Sequence, residues 1–388
     1  MNIAFFTENY FPMVSGVSTS IRLFKEALEE KGHKVFVFAP SYGKDDSSEC
    51  KNEERVIRLP ALPIRIHQSP IIFPGSSWRQ FIVPRLKLDI IHVHHPFFLG
   101  RTALFWARFL KIPIVYTFHT LYEAYVHYAP LKREIAVAFV KRYATRFANQ
   151  VDLVISPSFS IKKHLESRGV SKPITVIPTG IKWEDFQQGD RARVKKEKIL
   201  IFVGRLGEEK NVPFLLNVLC RAREKNWKAI FVGDGPDREK LIRRVKKACM
   251  EKRILFPGML PSSKLRELYA KSYLFLFSSF TETQGLVILE AMASGVPVLA
   301  MKAPGVSDFV HSGYTGFLVN SEEEFYRKLI LLLEDERLHS IMSATSREWA
   351  KLWDISLMAS KLIYTYEKLR ESFSPPSRLK ALSTFVFL

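Results

Sequence analysis

The chain's 388 residues exceed a typical single domain and suit two, and a hydrophobic content of 47% is enough for two sizeable cores. With 58 Lys and Arg against 39 Asp and Glu, the net charge is +19, so the chain should attract polyanions: nucleic acid, phosphorylated ligands or an anionic membrane surface. Three cysteines without a Cys-x-x-Cys pair argue against a disulfide framework and against a cysteine-rich zinc site.

The first half of the chain alternates short apolar runs with helical patterns. Strands are predicted at residues 3–7, 34–39, 89–93, 114–117, 153–156 and 174–177, and helices at 19–31, 99–110, 131–148 and 160–169. This alternation is typical of a doubly wound parallel sheet. No signal peptide precedes the first strand and no apolar run approaches the length that spans a bilayer, so we expect a cytoplasmic protein.

A polar, charged segment at residues 187–196 interrupts this pattern and is predicted to link two domains. The alternation then restarts, with strands at 199–203, 229–232, 254–256 and 273–277 and helices at 212–223, 238–249 and 262–270. We therefore predict an α/β protein made of two Rossmann-like, doubly wound domains with a central cleft between them.

The most informative stretch is residues 279–300, which places Glu282 and Glu290 eight positions apart in a strand–loop–helix–strand unit. Gly285 allows a tight turn into the helix, and the loop and the first helical amides face a crevice where anionic ligands bind. Glu290 lies about a turn and a half into the helix, near enough to reach the same crevice. One carboxylate can accept hydrogen bonds from sugar hydroxyls and the other from a ribose diol. The alternative is two surface glutamates on an ordinary α/β unit.

Two cations, Arg205 and Lys210, follow the strand at residues 199–203 in a loop that contains Gly204 and Gly207. Arginine can bind two phosphate oxygens at once and lysine supplies a mobile positive charge, so this loop suits a diphosphate. The alternative is a solvated loop in a chain rich in Lys and Arg. Asp-x-Asp, which holds a divalent ion in many metal-dependent sugar transferases, is absent from the sequence, so we expect no metal and charge stabilisation by the two cations instead.

Two loops in the first half carry further candidates. Gly16 follows the first strand and lets backbone approach a ligand, with Ser18 or Thr19 as the cap of the next helix; the alternative is a plain strand–helix turn. His119 follows a strand amid aromatic residues and can hydrogen-bond a sugar, although a lone histidine is more often structural. His92, His94 and His95 are assigned to that structural class.

Residues 279–300 resemble the Glu-x7-Glu motif of retaining glycosyltransferases with the GT-B fold, family 4, and Thr281 to Gly285 are most similar to the subgroup that glucosylates diacylglycerol. Residues 204–210 resemble the Gly-Arg-Leu-x4-Lys phosphate clamp of that family. The family usually has Gly-Gly-Val where this chain has Ser15-Gly16-Val17, so only Gly16 is carried over. The resemblance implies an acceptor-binding domain at 1–186, rejoined by a C-terminal helix at about 355–388, and a nucleotide-sugar domain at 187–354.

The resemblance also implies roles for individual residues. Glu282 and His119 would be catalytic and would position the sugar, and Tyr122, Tyr125 and Tyr128 would lie on the acceptor side. The donor, predicted to be UDP-glucose, would contact Gly16, Arg205, Lys210, Met259, Thr283, Gln284, Gly285, Leu286 and Glu290. The sequence leaves open uracil against guanine and glucose against galactose or mannose.

The basic–aromatic mixture in the predicted helix at 131–148 suits an interfacial helix on anionic lipid, so we expect peripheral contact with the inner face of the cell membrane. We prefer it to the cationic helix at 238–253, which is typical of a solvated face. Three alternatives to a lipid acceptor stay open: a soluble sugar or polysaccharide acceptor, a sugar-nucleotide epimerase, and a nucleic-acid-binding protein. Because no recognition motif for RNA or DNA appears, we expect no nucleic-acid partner.

Overall fold

The computed structural model describes residues 1–43, 53–66, 69–72, 78–124, 133–187 and 198–375. The chain forms two compact units, one made of Met1–Gly180 with Ile355–Leu388 and the other of Ile181–Asp354. The predicted linker at 187–196 lies outside the described residues except for Gln187. Each unit is built on its own parallel sheet, which confirms the prediction of two Rossmann-like α/β domains.

The first unit has a seven-stranded parallel sheet in the order β3-β2-β1-β6-β7-β8-β9 and a two-stranded antiparallel sheet, β4-β5. Its strands are β1 (Asn2–Phe6), β2 (Lys34–Pro40), β3 (Val56–Leu59), β4 (Ala61–Ile66), β5 (Ser69–Ile72), β6 (Ile90–Val93), β7 (Ile114–Thr117), β8 (Leu153–Ser156) and β9 (Ile174–Val176). Its helices are α1 (Gly16–Glu30), α2 (Phe98–Leu110), α3 (Arg133–Ala148), α4 (Phe159–Ser167) and, from the C-terminal end of the chain, α11 (Ile355–Ser372). Strands β6, β7 and β8 are buried at every position, as expected where helices cover both faces of a parallel sheet.

The second unit has a six-stranded parallel sheet in the order β12-β11-β10-β13-β14-β15. Its strands are β10 (Ile199–Val203), β11 (Lys228–Val232), β12 (Ile254–Gly258), β13 (Leu274–Phe277), β14 (Val298–Met301) and β15 (Gly316–Val319). Its helices are α5 (Val212–Arg221), α6 (Arg238–Lys247), α7 (Ser262–Lys271), α8 (Leu286–Ala293), α9 (Glu322–Glu334) and α10 (Glu336–Lys351). The strand order reverses between β10 and β13, and this reversal positions the candidate site.

The domain boundary differs from the predicted one at residue 186. Ile181 already pairs with Asp354, and the Trp183 indole nitrogen donates a hydrogen bond to the Arg347 carbonyl at 3.2 Å. These contacts place residues 181–186 in the second unit. The chain therefore changes unit between Gly180 and Ile181, before the polar segment that was predicted to be the linker.

The start of α1 also differs from the prediction, because Ser15 caps it rather than Ser18 or Thr19. The Ser15 hydroxyl accepts a hydrogen bond from the Ser18 amide at 3.1 Å, and the Ser18 hydroxyl accepts one from the Ser15 amide at 2.8 Å. This reciprocal capping box lengthens the helix to Gly16. Of the helices that the structure describes, none combines the length and apolarity needed to cross a membrane.

Candidate active site

The carboxyl ends of β10 and β13 form the switch point of the second sheet. The chain leaves β10 toward β11 on one side and leaves β13 toward β14 on the other, so the two loops separate at neighbouring strands. Ligands of open α/β sheets bind in the crevice that such a reversal creates. The predicted motif at residues 204–210 lies in the first of these loops, and the predicted motif at 279–300 begins in the second and continues through α8 into β14.

The two loops are joined by an ion pair and by two hydroxyl groups. Lys210 Nζ contacts Glu282 Oε1, and each of these side chains is 15% exposed. The Ser278 hydroxyl donates to the Lys210 carbonyl at 2.7 Å, and the Ser279 hydroxyl donates to the Glu209 carbonyl at 3.1 Å. A cation from one motif and a carboxylate from the other therefore meet at the switch point, held by backbone contacts beneath them.

Glycine is required at two positions beside this pair. Gly285, the residue before α8, has a φ of +79°, a left-handed conformation that most side chains avoid. Gly305, in the loop after β14, has a φ of +75°, and a Cβ there would lie 2.5 Å from the Glu282 carbonyl oxygen. The loop after β14 thus packs directly on the backbone of Glu282, a contact that the sequence motifs did not reveal.

Glu290 lies in the second turn of α8 and is bonded to a neighbouring helix. The Tyr269 hydroxyl of α7 donates a hydrogen bond to Glu290 Oε2 at 3.1 Å. Burial raises the pKa of Glu290 to about 7, although this hydrogen bond and the charge of Arg266 favour the ionised form. Among the described hydrogen bonds, none joins Glu290 to Glu282, and that both carboxylates reach the same crevice stays a prediction.

The remaining donor-side candidates of the second unit lie at the carboxyl edge of the same sheet. Arg205 is half-buried in the loop after β10, and Gln284 is buried beside Gly285. Thr283 and Leu286 flank these positions, and both are half-buried. Met259 follows β12 and is 59% exposed.

In the first unit, Gly16 is the first residue of α1, and a Cβ there would meet nothing within 4 Å. Ser15 stands where the resembled Gly-Gly-Val motif has its first glycine. Its side chain caps α1 and so stabilises the turn from the loop into this helix. Tyr122 is half-buried and its ring packs edge-on against Phe97 at 5.1 Å. Tyr125 and Tyr128 lie outside the described residues.

His119 lies two residues past the end of β7, in contact with a second histidine. Its Nε2 is 2.9 Å from His94 Nδ1, and the two rings stack with centroids 5.2 Å apart. Burial lowers the pKa of both imidazoles well below the ordinary value, so both are neutral at physiological pH. His94 therefore touches a predicted site residue.

Glu8 is a half-buried acid that the sequence analysis did not select. It follows β1, and its Oε1 accepts a hydrogen bond from the Leu99 amide at 3.0 Å. The residue before α2, Phe97, provides no side-chain cap, so the Glu8 carboxyl group takes that place by accepting the hydrogen bond from the Leu99 amide. Burial raises the pKa of Glu8 to about 7. An acidic residue directly after the first strand was the signal that could have found it.

Within the described ranges, no group of three or more His, Cys, Asp or Glu side chains is placed to hold a metal ion.

Two family models match consecutive parts of the chain: Glycosyltransferase Family 4 matches residues 14–184, and Glycosyl transferases group 1 matches residues 184–349. The alpha-monoglucosyldiacylglycerol synthase of Streptococcus pneumoniae is 33% identical over 84% of this chain and 76% of its own length. The enzyme of the same name from Acholeplasma laidlawii is 30% identical over 88% of this chain and 91% of its own. A GDP-mannose-dependent alpha-mannosyltransferase of Corynebacterium glutamicum is also 30% identical, over 94% of this chain and 88% of its own.

Solved structures show the same fold. The crystal structure of Anabaena HepE in complex with UDP and glucose has a TM-score of 0.76 and 20% sequence identity, over 95% of this chain and 100% of that chain. The fold, the family models and these relatives together define a hexose-transferring enzyme of the GT-B class. The chain belongs to glycosyltransferase family 4, which confirms the resemblance drawn from its motifs.

Proposed function

We propose that this glycosyltransferase moves glucose from UDP-glucose to the hydroxyl of diacylglycerol with retention of anomeric configuration and without a metal. The observation that carries the proposal is the Lys210–Glu282 pair at the switch point, where an activated sugar needs both a cation and a hydrogen-bond acceptor. Two relatives over most of the chain are named alpha-monoglucosyldiacylglycerol synthase, which supports the sugar and the acceptor.

The reaction breaks the bond between the anomeric carbon and the diphosphate oxygen and forms a bond from that carbon to the acceptor oxygen on the same face. The proton of the acceptor hydroxyl passes to an oxygen of the departing diphosphate, so no strong general acid is needed. Lys210 and Arg205 would stabilise the negative charge that develops on the diphosphate. Glu282 would accept hydrogen bonds from the sugar, Glu290 from the ribose, and His119 would donate one to the sugar.

The ion pair prepares Lys210 for this role. In the described structure the ammonium group is held against Glu282 and lies 5.9 Å from the centre of the Phe277 ring. A diphosphate that enters the switch point carries more negative charge than one carboxylate, so Lys210 can exchange Glu282 for the diphosphate as its charge partner. The released Glu282 oxygens then become available to sugar hydroxyls.

A panel of donors tests the proposal. We expect the purified protein, given diacylglycerol in vesicles, to consume UDP-glucose and to form a lipid α-glucoside with release of UDP. Selective use of GDP-mannose would overturn the choice of donor, an outcome that the mannosyltransferase relative makes worth measuring. A changed sugar nucleotide without a lipid product would indicate an epimerase, and a product with soluble sugars alone would overturn the lipid acceptor.

We also propose that α3 contacts an anionic membrane surface. Ile135 and Phe139 are one helical turn apart and are 62% and 65% exposed, which is unusual for large apolar side chains. The same outward face of α3 borders a groove of about 680 Å³ that is lined by Ala138, Lys141, Arg142, Thr145, Arg146, Asn149 and Arg168. Apolar side chains beside clustered cations are the composition of an interfacial helix.

Vesicle sedimentation tests this contact. We expect the double variant Ile135→Ser with Phe139→Ser to bind vesicles that contain phosphatidylglycerol at least about 100-fold more weakly, since burial of two such side chains contributes about 3 kcal/mol or more and each step of about 1.4 kcal/mol is a factor of ten. The matched control is Ile341→Ser with Tyr314→Ser, two side chains of the second unit that are 54% and 67% exposed. Equal loss in both double variants, or no loss in the first, would contradict the assignment of the contact to α3.

A further inference from the structure

Two polar pairs link β6 and β7 on one face of the first sheet. His92 Nε2 lies 2.6 Å from Thr117 Oγ1. Two residues after each member of this pair, His94 Nδ1 lies 2.9 Å from His119 Nε2. The strands are parallel neighbours, and side chains two residues apart share a face of a sheet. The register that forms the first pair therefore also brings His94 to His119.

The ring of His94 is fixed on three sides. It stacks on His92 with centroids 4.4 Å apart and on His119 at 5.2 Å, and Phe5 packs edge-on against it at 4.9 Å. His94 is only 1% exposed. Rotation of this ring would break aromatic contacts with all three neighbours, so the direction of its Nδ1 is set by packing.

The protonation of the pair follows from the other nitrogen of His94. Both rings are neutral, so each carries one proton, and one proton lies between His94 Nδ1 and His119 Nε2. His94 Nε2 is buried and has no hydrogen-bond partner among the described residues. If His119 donated, His94 would carry its proton at Nε2 as a buried N–H without an acceptor, which costs more than an unfilled lone pair. Donation from His94 Nδ1 to His119 Nε2 avoids that cost.

We propose that His94 is a positioning residue that holds His119 as the tautomer protonated at Nδ1. The proposal rests on the proposed contact of His119 with the transferred sugar. In this tautomer His119 presents an N–H group from Nδ1 and acts as a neutral hydrogen-bond donor toward a sugar oxygen rather than as an acceptor or an acid. His94 itself touches neither the sugar nor the reacting atoms in this arrangement.

Nitrogen NMR of the full-length protein labelled with ¹⁵N-histidine tests the tautomer directly. Long-range ¹H–¹⁵N spectra distinguish a protonated ring nitrogen from a bare one, and the His119 signals are assigned from their loss in His119→Gln. We expect His119 to be protonated at Nδ1 and bare at Nε2. Protonation at Nε2 in the wild-type protein would overturn the proposal, and this result does not depend on the folding of any His94 variant.

Two substitutions at position 94 separate positioning from packing. His94→Leu keeps bulk but removes the donor, so we expect the tautomer preference of His119 to be lost and kcat to fall about 10- to 100-fold, with a smaller change in the donor's KM. His94→Asn places an amide N–H near the position of Nδ1 and should restore both the tautomer and most of kcat. An unchanged tautomer and kcat in His94→Leu would contradict the proposal. Normal transfer by His119→Gln would instead reject the sugar contact while the tautomer result stood.

Discussion

Lys210 and Glu282 are 72 positions apart in the chain, yet they form one ion pair in which each side chain is 15% exposed. Partial burial strengthens the attraction between the two charges relative to a surface pair. It also means that removal of one partner leaves the other charged group poorly solvated. Substitution of either residue should therefore reduce function, either because a contact to the ligand is lost or because the remaining charged group disturbs the local structure.

Glu282→Gln keeps the shape of the side chain and removes its charge. We expect turnover to fall about 100-fold or more, because the contacts of Glu282 to the reacting sugar strengthen in the transition state. The matched control is Glu334→Gln, which removes the carboxylate of an exposed Lys225–Glu334 pair in the same unit. Normal turnover in Glu282→Gln, or equal loss in the control, would reject the role assigned to Glu282.

Glu290 makes stability depend on pH. Its pKa is raised from 4.5 to about 7 by burial, so between these values the folded state binds a proton that the unfolded state has released. Stability contributed by the neutral acid is fully present below pH 4.5 and is lost as the pH rises through about 7. We expect the melting temperature of Glu290→Gln to fall less than that of the wild type when the pH is raised from 5 to 8. The exposed Glu239→Gln should behave as the wild type; an unchanged pH dependence in Glu290→Gln would contradict the raised pKa.

At the residue scale, the residues that belong to recognisable motifs could be selected from the sequence. Lys210 and Glu282 were both selected, and the structure brings them together, although their roles stay predictions. His94 was assigned to the structural histidines, because its contact with His119 depends on the register of two strands that the sequence does not specify. Glu8 was missed because its half-buried position and its hydrogen bond come from α2, about 90 residues further along the chain.

At the scale of elements, loops at the carboxyl edge of the second sheet support one another. The loop after β14 reaches the backbone of Glu282 through Gly305, and the loop after β13 turns into α8 through Gly285. A side chain at Gly305 would clash with the backbone of Glu282, and Gly285 keeps a left-handed conformation that most side chains avoid. The geometry of the switch point therefore depends on these two glycines.

Gly305→Ala tests this support. Gly305 and Gly313 both have a left-handed φ, +75° and +89°, but a Cβ at Gly313 would meet nothing within 4 Å. Alanine should cost about 1 kcal/mol of conformational strain at either position, and the clash at Gly305 should add about 1–3 kcal/mol. We expect a lower melting temperature and weaker UDP binding for Gly305→Ala than for Gly313→Ala. Equal behaviour of the two variants would show that the close approach to Glu282 has no energetic consequence.

The predicted bounds of an element agree with the structure where the apolar pattern is continuous. They differ where local hydrogen bonds determine the residue at which the element begins. Strand β10 has the predicted bounds of 199–203. Helix α1 begins three residues earlier than predicted, because the reciprocal bonds of Ser15 and Ser18 satisfy its first amides. The contact of Gly305 with Glu282 could not be read from the sequence, since it depends on how the loop after β14 packs on the loop after β13.

At the scale of the whole molecule, the first unit is completed by the end of the chain. Helix α11 packs against α1, and the Tyr366 hydroxyl lies 2.5 Å from His92 Nδ1 in the strand that leads to His94. Arg370 also forms an ion pair with Asp89 at 2.7 Å. The first unit is thus assembled from two segments that are separated in sequence by the entire second unit.

Leu362→Ala tests how much this helix contributes. Leu362 is 1% exposed, so its truncation should destabilise the first unit by about 2–5 kcal/mol and lower the melting temperature. Tyr364→Ala lies on the same helix at a position that is 62% exposed and should change stability by less than about 0.5 kcal/mol. A small effect of Leu362→Ala would show that α11 is dispensable for the first unit.

The central claim is that the switch point of the second unit binds the diphosphate of the donor, and calorimetric titration with UDP tests it most directly. We predict that the wild-type protein binds UDP and that Lys210→Ala binds it at least about tenfold more weakly, since a charge-assisted contact contributes about 1.5–3 kcal/mol. The control Lys225→Ala removes an exposed lysine of the same unit and should bind UDP as the wild type does. Unchanged UDP affinity in Lys210→Ala would contradict the account.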